Sequence, residues 1–113
     1  MLTIKETGLL KSIIKHCNKI NEKIKNLTYE QFTIDEDVVE IVCFNILQIG
    51  ELAKNFDMEF IKKYNDVPWR QIKGMRDKVA HGYGTIDKQK VWDTAKEDIK
   101  SLLDYCCKII EEK

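Results

Sequence analysis

Arg76, His81 and Tyr83 stand within the stretch R-D-K-V-A-H-G-Y at 76–83, and their residue types suit work on a phosphate. A guanidinium binds two phosphate oxygens at once, while an imidazole titrating near neutrality passes a proton to or from an oxygen. On a regular helix the five-residue step from Arg76 to His81 covers about 7.5 Å of rise and 140° of rotation. Long side chains can still converge across that separation on one phosphate. In RNA the 2′-hydroxyl serves as an internal nucleophile, so such a pair cleaves a phosphodiester without an obligatory metal. Asp77, four residues before His81, is placed to hydrogen-bond the ring and orient it, and the carboxyl end of a helix favours the imidazolium. Tyr83, just past Gly82, is free to stack on a base or present its hydroxyl. By itself R-x-x-x-x-H is a low-information pattern that also describes an ordinary solvated helix end.

The helix that must carry these residues runs from about Pro68 to Ala80 or His81. Asp66 can cap it, Pro68 fits its first turn because the missing N–H costs nothing there, and Gly82 and Gly84 stop it. At about 100° per residue Ile72, Met75 and Val79 form its core stripe. Lys73, Asp77 and His81 line the opposite side, with Arg76 on the flank, which argues against a core role for His81. Gly74, in the middle, is a place for a bend or for the close approach of another backbone.

Around it the chain reads as helices. From Leu2 to Leu27, apolar residues recur at three- and four-residue steps (Leu10, Ile13, Ile14, Cys17, Ile20, Ile24, Leu27), the mark of one long amphipathic helix. The pattern lapses over 26–34, where Thr33-Ile34-Asp35-Glu36 fits a capping box opening a second helix, about Asp35 to Asn55. That helix is apolar nearly all round (Val39, Val42, Phe44, Ile46, Leu47, Ile49), so it requires burial on several sides and suggests a subunit seam. Asp57 caps a short helix over 58–64, and a final helix after Asp87 carries Val91, Trp92, Ala95, Ile99, Leu102, Leu103, Cys106 and Ile110 on one face. Glu51, on the second helix, is set either to pair with Arg76 or to be solvated. Trp69 and Trp92 read as core anchors before base-stacking platforms.

The expected fold is therefore all-α, a helical bundle of four long helices plus a short one, in one domain spanning 1–113. One Pro, five Gly and abundant Lys, Glu, Ile and Leu support that class. The formal net charge is zero, which announces neither a nucleic-acid binder nor a membrane-surface protein. Positive charge nevertheless gathers over 62–78, where Lys62, Lys63, Arg70, Lys73, Arg76 and Lys78 outnumber Asp66 and Asp77. Cys17, Cys43, Cys106 and Cys107 form no C-x-x-C pair and read as small buried hydrophobes, so neither a metal nor a cofactor is expected. The absence of a leader or a spanning apolar run points to a reduced cytoplasmic setting.

I-G-E-L-A at 49–53, V-P-W-R-Q-I-K-G-M-R-D-K-V-A-H-G-Y-G-T-I-D at 67–87 and V-W at 91–92 resemble the HepT-like branch of the HEPN superfamily. HEPN domains, found in higher eukaryotes and prokaryotes, bind or cleave nucleic acid. The resemblance covers essentially the whole chain and is most specific from Val67 to Trp92. Its mark, R-x-x-x-x-H-x-Y, is matched by Arg76, His81 and Tyr83. A polar residue, often Asn, follows the Arg in that family; Asp77 keeps the polarity but adds a negative charge.

The resemblance implies a metal-independent endoribonuclease toxin acting on RNA as a homodimer, its two motifs meeting across a cleft. It also implies a cognate nucleotidyltransferase antitoxin that transfers AMP to Tyr83 or binds the toxin. A bound adenylate would set bulk and negative charge two residues from His81. Arg76 and His81 would be catalytic, with Asp77 and Lys73 in support. An alternative makes the chain a non-catalytic helical partner of a nucleotidyltransferase, and a third a helical dimer with no nucleic-acid role.

Overall fold

Helices follow wherever the sequence combines a cap with a periodic apolar stripe. The computed structural model describes residues 1–80 and 86–111, with the backbone alone at 75–80, and every regular element among them is helical. Helix α1 spans Ile4–Ile24 and opens on a capping box: the Glu6 N–H donates to the Thr3 hydroxyl at 3.0 Å, and the Thr3 N–H to the Glu6 carboxylate at 2.9 Å. Its Leu10, Ile13, Cys17, Ile20 and Ile24 are buried, as the three- and four-residue spacing requires, whereas Ile14 is half-buried and Leu27 lies past the end of the helix.

The next turn corrects the sequence reading. Residues 29–34 form a short helix, α2 (Tyr29–Ile34), opened by a second capping box between Thr28 and Gln31. Thr33 therefore lies inside α2, where its hydroxyl donates to the Glu30 carbonyl at 2.8 Å, and it is not the cap of the following helix. Asp35 takes that role for α3 (Glu36–Ala53), accepting from the Val38 N–H at 3.2 Å. With two short helices before α5, the expected count of one was too low. So short a connection turns the chain back, and α3 runs antiparallel to α1.

Helix α3 packs against both α1 and α5 (Trp69–Ala80), burying Val42, Ile46, Ile49 and Ala53. Fully buried Val and Ile side chains such as these each contribute roughly 1.5–3 kcal/mol of transfer free energy, offset by the entropy of ordering them. Short helix α4 (Met58–Lys63) is capped by Asp57, as expected, through the Phe60 N–H at 2.9 Å. Pro68 stands just before α5, which begins one residue later than expected, at Trp69. At Gly74 the helix continues without interruption and no other described backbone comes close: a Cβ built there would meet nothing within 4 Å.

The expected final helix is three pieces: α6 (Lys88–Asp93), a π turn over Thr94–Asp98, and α7 (Ile99–Glu111). The Ile99 N–H bonds back to the Thr94 carbonyl, five residues away, so this turn holds one residue more than an α turn. That accommodates the four-residue steps Val91, Ala95, Ile99, all buried, which would drift around a regular helix. Beyond it the buried stripe is Ile99, Leu102, Cys106 and Ile109, while Ile110 and Leu103, expected on this face, are only half-buried. Helix α6 then packs toward α2 and α3, and α7 toward α1.

Candidate active site

Three of the five site residues lie on α5, and its opening turn fixes where they stand. Trp69 is buried against Phe56 and Phe60, with ring centroids 5.2 and 5.9 Å away, while its indole N–H donates to the Tyr64 carbonyl at 3.0 Å. Ile72 is buried one turn on. This anchorage sets the rotation of α5 and leaves Lys73 half-buried and Arg70 exposed. Arg76 and Asp77 occupy the helix's last two turns, although their side chains fall outside the described residues. His81 and Tyr83 lie outside the described residues altogether, so the convergence of Arg76 and His81 on one phosphate is not tested by the geometry.

On the far side of the motif the chain re-enters α6 under several constraints. The Lys88 amine donates to the Thr33 carbonyl at 2.8 Å, satisfying an orphan acceptor at the end of α2. Asp87 caps α6 through the Lys90 N–H at 3.2 Å. Trp92 is half-buried, 5.1 Å from the Phe32 ring and 6.1 Å from Tyr29, with the Lys96 amine 5.4 Å from its centroid. Both tryptophans thus pack as anchors, Trp69 fully and Trp92 on one side. The two ends of the motif-bearing stretch are pinned, one through α4 and α5, the other through α2.

Several polar features carried no readable partner in the sequence. Asn45, buried on α3, donates its amide to the Ile41 carbonyl at 2.8 Å, which leaves its side-chain oxygen facing His16 Nδ1 at 2.7 Å. The oxygen can only accept, so His16 carries its proton on Nδ1 and ties α1 to α3. A lone Asn in the apolar run from Ile41 to Ile49 was the available signal. Phe44, on the helix expected to be buried on several sides and to offer a subunit seam, is 56% exposed in the single chain. It lies in a groove between α1 and α3 whose α1 side bears Lys11, Lys15, Lys19 and Lys23. Glu51 is exposed, with the Lys54 amine 3.7 Å from its carboxylate.

The cysteines pack rather than react. Cys17, Cys43 and Cys106 are buried, whereas Cys107 is half-exposed, contrary to the expectation for all four. Burial, reinforced by Glu40, pushes the Cys43 thiol up to about 11, and burial with Cys107 nearby pushes Cys106 up to about 12. Burial raises Cys17 as well, so these three thiols stay protonated at neutral pH and are poor nucleophiles. Among the described residues no three His, Cys, Asp or Glu side chains gather as a metal site, and no helix is long and apolar enough to cross a membrane.

An all-α domain whose basic fifth helix carries Arg76, with His81 and Tyr83 following in the sequence at these spacings, defines a class, and comparison with known proteins names it. The model of the family described as "Ribonuclease HepT-like" matches residues 13–109, and the chain belongs to that family. It is 31% identical over 104 residues to a protein of Caldanaerobacter subterraneus subsp. tengcongensis named "Putative RNase", covering 92% of this chain and 93% of the relative. It is 34% identical over 93 residues to the "Probable ribonuclease HepT" of Thermococcus cleftensis, covering 82% and 84% respectively. A Methanocaldococcus jannaschii protein named "Gamma-glutamylcyclotransferase and putative RNase" is 35% identical over 103 residues, which span 91% of this chain and 46% of that one. No solved structure matches.

Proposed function

We propose that the protein is a metal-independent endoribonuclease and the toxin of a toxin–antitoxin pair. The observation that carries this reading is the intact Arg76, His81 and Tyr83 set inside the span that matches a ribonuclease family. Arg76 binds the non-bridging oxygens of the scissile phosphate and steadies the charge that develops on them. His81 is the acid/base group that moves the proton from the attacking 2′-hydroxyl and returns one to the departing 5′-oxygen. The phosphorus–5′-oxygen bond breaks as the 2′-oxygen bond forms, giving a 2′,3′-cyclic phosphate and a 5′-hydroxyl. Lys73 supplies further positive charge, and Asp77 orients the imidazole.

The active species is a homodimer acting in the cytoplasm, with the two motifs sharing a cleft. Pairing doubles the local positive charge of 62–78, which reconciles RNA binding with a net charge of zero. A cognate nucleotidyltransferase neutralises the toxin by transferring AMP to the Tyr83 hydroxyl or by binding it. The deciding experiment uses purified protein and chelator-treated RNA: cleavage should leave 2′,3′-cyclic phosphate ends and should be lost in His81→Ala. Equal cleavage by parent and variant would sink the assignment. Growth arrest on expressing the chain alone, relieved by Arg76→Ala, distinguishes a toxin from a non-catalytic partner subunit. Mass spectrometry after co-expression should show one added adenylate on Tyr83; its absence leaves inhibition by binding.

A further inference from the structure

Lys88, Trp92 and Lys96 follow one another at four-residue steps along α6 and the π turn, on the side that borders α2, about 6 Å of rise apart on a regular helix. Fully buried Phe32 supports the Trp92 ring from the core side, its centroid 5.1 Å away, and half-buried Tyr29 meets the ring edge-on at 6.1 Å. From the solvent side comes exposed Lys96, its amine 5.4 Å from the centroid. A cation is drawn to such a face, but a single flexible side chain holds it loosely. Lys88 spends one of its three N–H donors on the Thr33 carbonyl at 2.8 Å and keeps two.

Anchoring alone does not call for this arrangement. Trp69, the other anchor, is buried, and its indole N–H is taken by the Tyr64 carbonyl. The Trp92 indole N–H meets no described acceptor, and no described side-chain nitrogen is both buried and unpartnered, so that N–H faces solvent.

We infer that this stripe is a nucleotide subsite for RNA: one base stacks on the solvent side of Trp92, Lys96 swings from the ring to a phosphate beside that base, and Lys88 faces the next phosphate. The inference rests on the RNA substrate proposed above and adds a contact outside the Arg76, His81 and Tyr83 set. A base replaces a loosely held amine over the ring, which frees that amine for a charge-assisted bond to phosphate. Every base has a π-face, so the subsite accepts any of the four. Exposed Asp93 and Glu97 lie among these lysines, with Asp93 tied to the Gln89 amide at 2.9 Å. Such mixed charge serves a bare phosphate poorly, so stacking carries the binding. Lys88 follows Tyr83 by five residues, a chain that spans at most about 18 Å, so one short strand can reach both.

The test is binding of a six-nucleotide 2′-O-methyl oligoadenylate, which has no free 2′-hydroxyl and is not cut by the proposed route, to the purified protein. Binding should quench the tryptophan emission of the parent. Trp92→Phe, whose ring keeps the seat on Phe32, should still bind but lose the quenching, because only buried Trp69 is left to emit. Trp92→Leu should weaken binding roughly 5- to 150-fold, the worth of one stacked base. On an abasic backbone of the same length, parent and Trp92→Leu should bind alike. Lys96→Gln should lower the log–log salt slope by about 0.7. A parent that does not bind the oligonucleotide, quenching that survives in Trp92→Phe, or an unchanged salt slope overturns the inference. So does a Trp92→Leu loss that is absent on the oligoadenylate or equal on the abasic backbone, the second marking Trp92 as an anchor alone. The Trp92→Phe comparison decides even if Trp92→Leu does not fold. A parent that binds in this way yet leaves RNA uncut upholds the subsite and sinks only the ribonuclease reading.

Discussion

At its first turn α5 is held by Trp69, packed on Phe56 and Phe60 and hydrogen-bonded to the Tyr64 carbonyl; its last two turns instead bear the polar residues Arg76 and Asp77. The difference separates two tasks along one rod of 12 residues. A helix transmits rotation, so an apolar anchor at one end fixes which way the polar residues at the other end point. The reactive groups themselves need contribute nothing to that anchorage.

Breaking the anchored end should give the largest effect. Trp69→Ala removes a buried aromatic and a hydrogen bond, and should cost roughly 3–5 kcal/mol in urea unfolding. By contrast His81→Ala should lower RNA cleavage by about 10²- to 10⁴-fold, with the unfolding free energy within about 0.5 kcal/mol of the parent. If His81→Ala unfolds the protein as readily as Trp69→Ala, the division of labour fails.

Smaller changes sharpen the comparison. Asp35→Ala should cost about 1 kcal/mol by uncapping α3. Thr33→Ala, which leaves that cap intact, should cost less in the same denaturation series. Gly74→Ala, at the midpoint of α5 where a Cβ meets no atom, should stabilise by about 0.4–1 kcal/mol and leave cleavage unchanged. Lys73→Gln should reduce the salt dependence of RNA binding by about 0.7 in log–log slope, the share of one phosphate contact on a single strand.

The long helices were legible because they offer several turns of apolar spacing, and short α4 because Asp57 caps it before Met58. Helix α2 was not, since six residues with only Phe32 buried give too little periodicity to register. Its Thr28–Gln31 capping box was written in the sequence all the same, and the competing Thr33–Glu36 spacing drew the boundary too late. The π turn escaped for a different reason: nothing in residue type marks an extra residue, and only the run of four-residue steps hinted at it. The candidate site was legible as chemistry, through Arg76, His81 and Tyr83. Its structural setting was not: the tie from Lys88 to Thr33 joins residues 55 positions apart, which no local pattern encodes.

The π turn at Thr94–Asp98 also acts as a phase coupling between two machines on one shaft. The segment before it packs toward α2 and α3, and the segment after it packs toward α1. A single regular helix would lock those two faces to one angular offset, so any adjustment near the motif would be felt by Leu102 and Cys106. The extra residue resets that offset, so that α6 meets α2 and α3 while α7 meets α1.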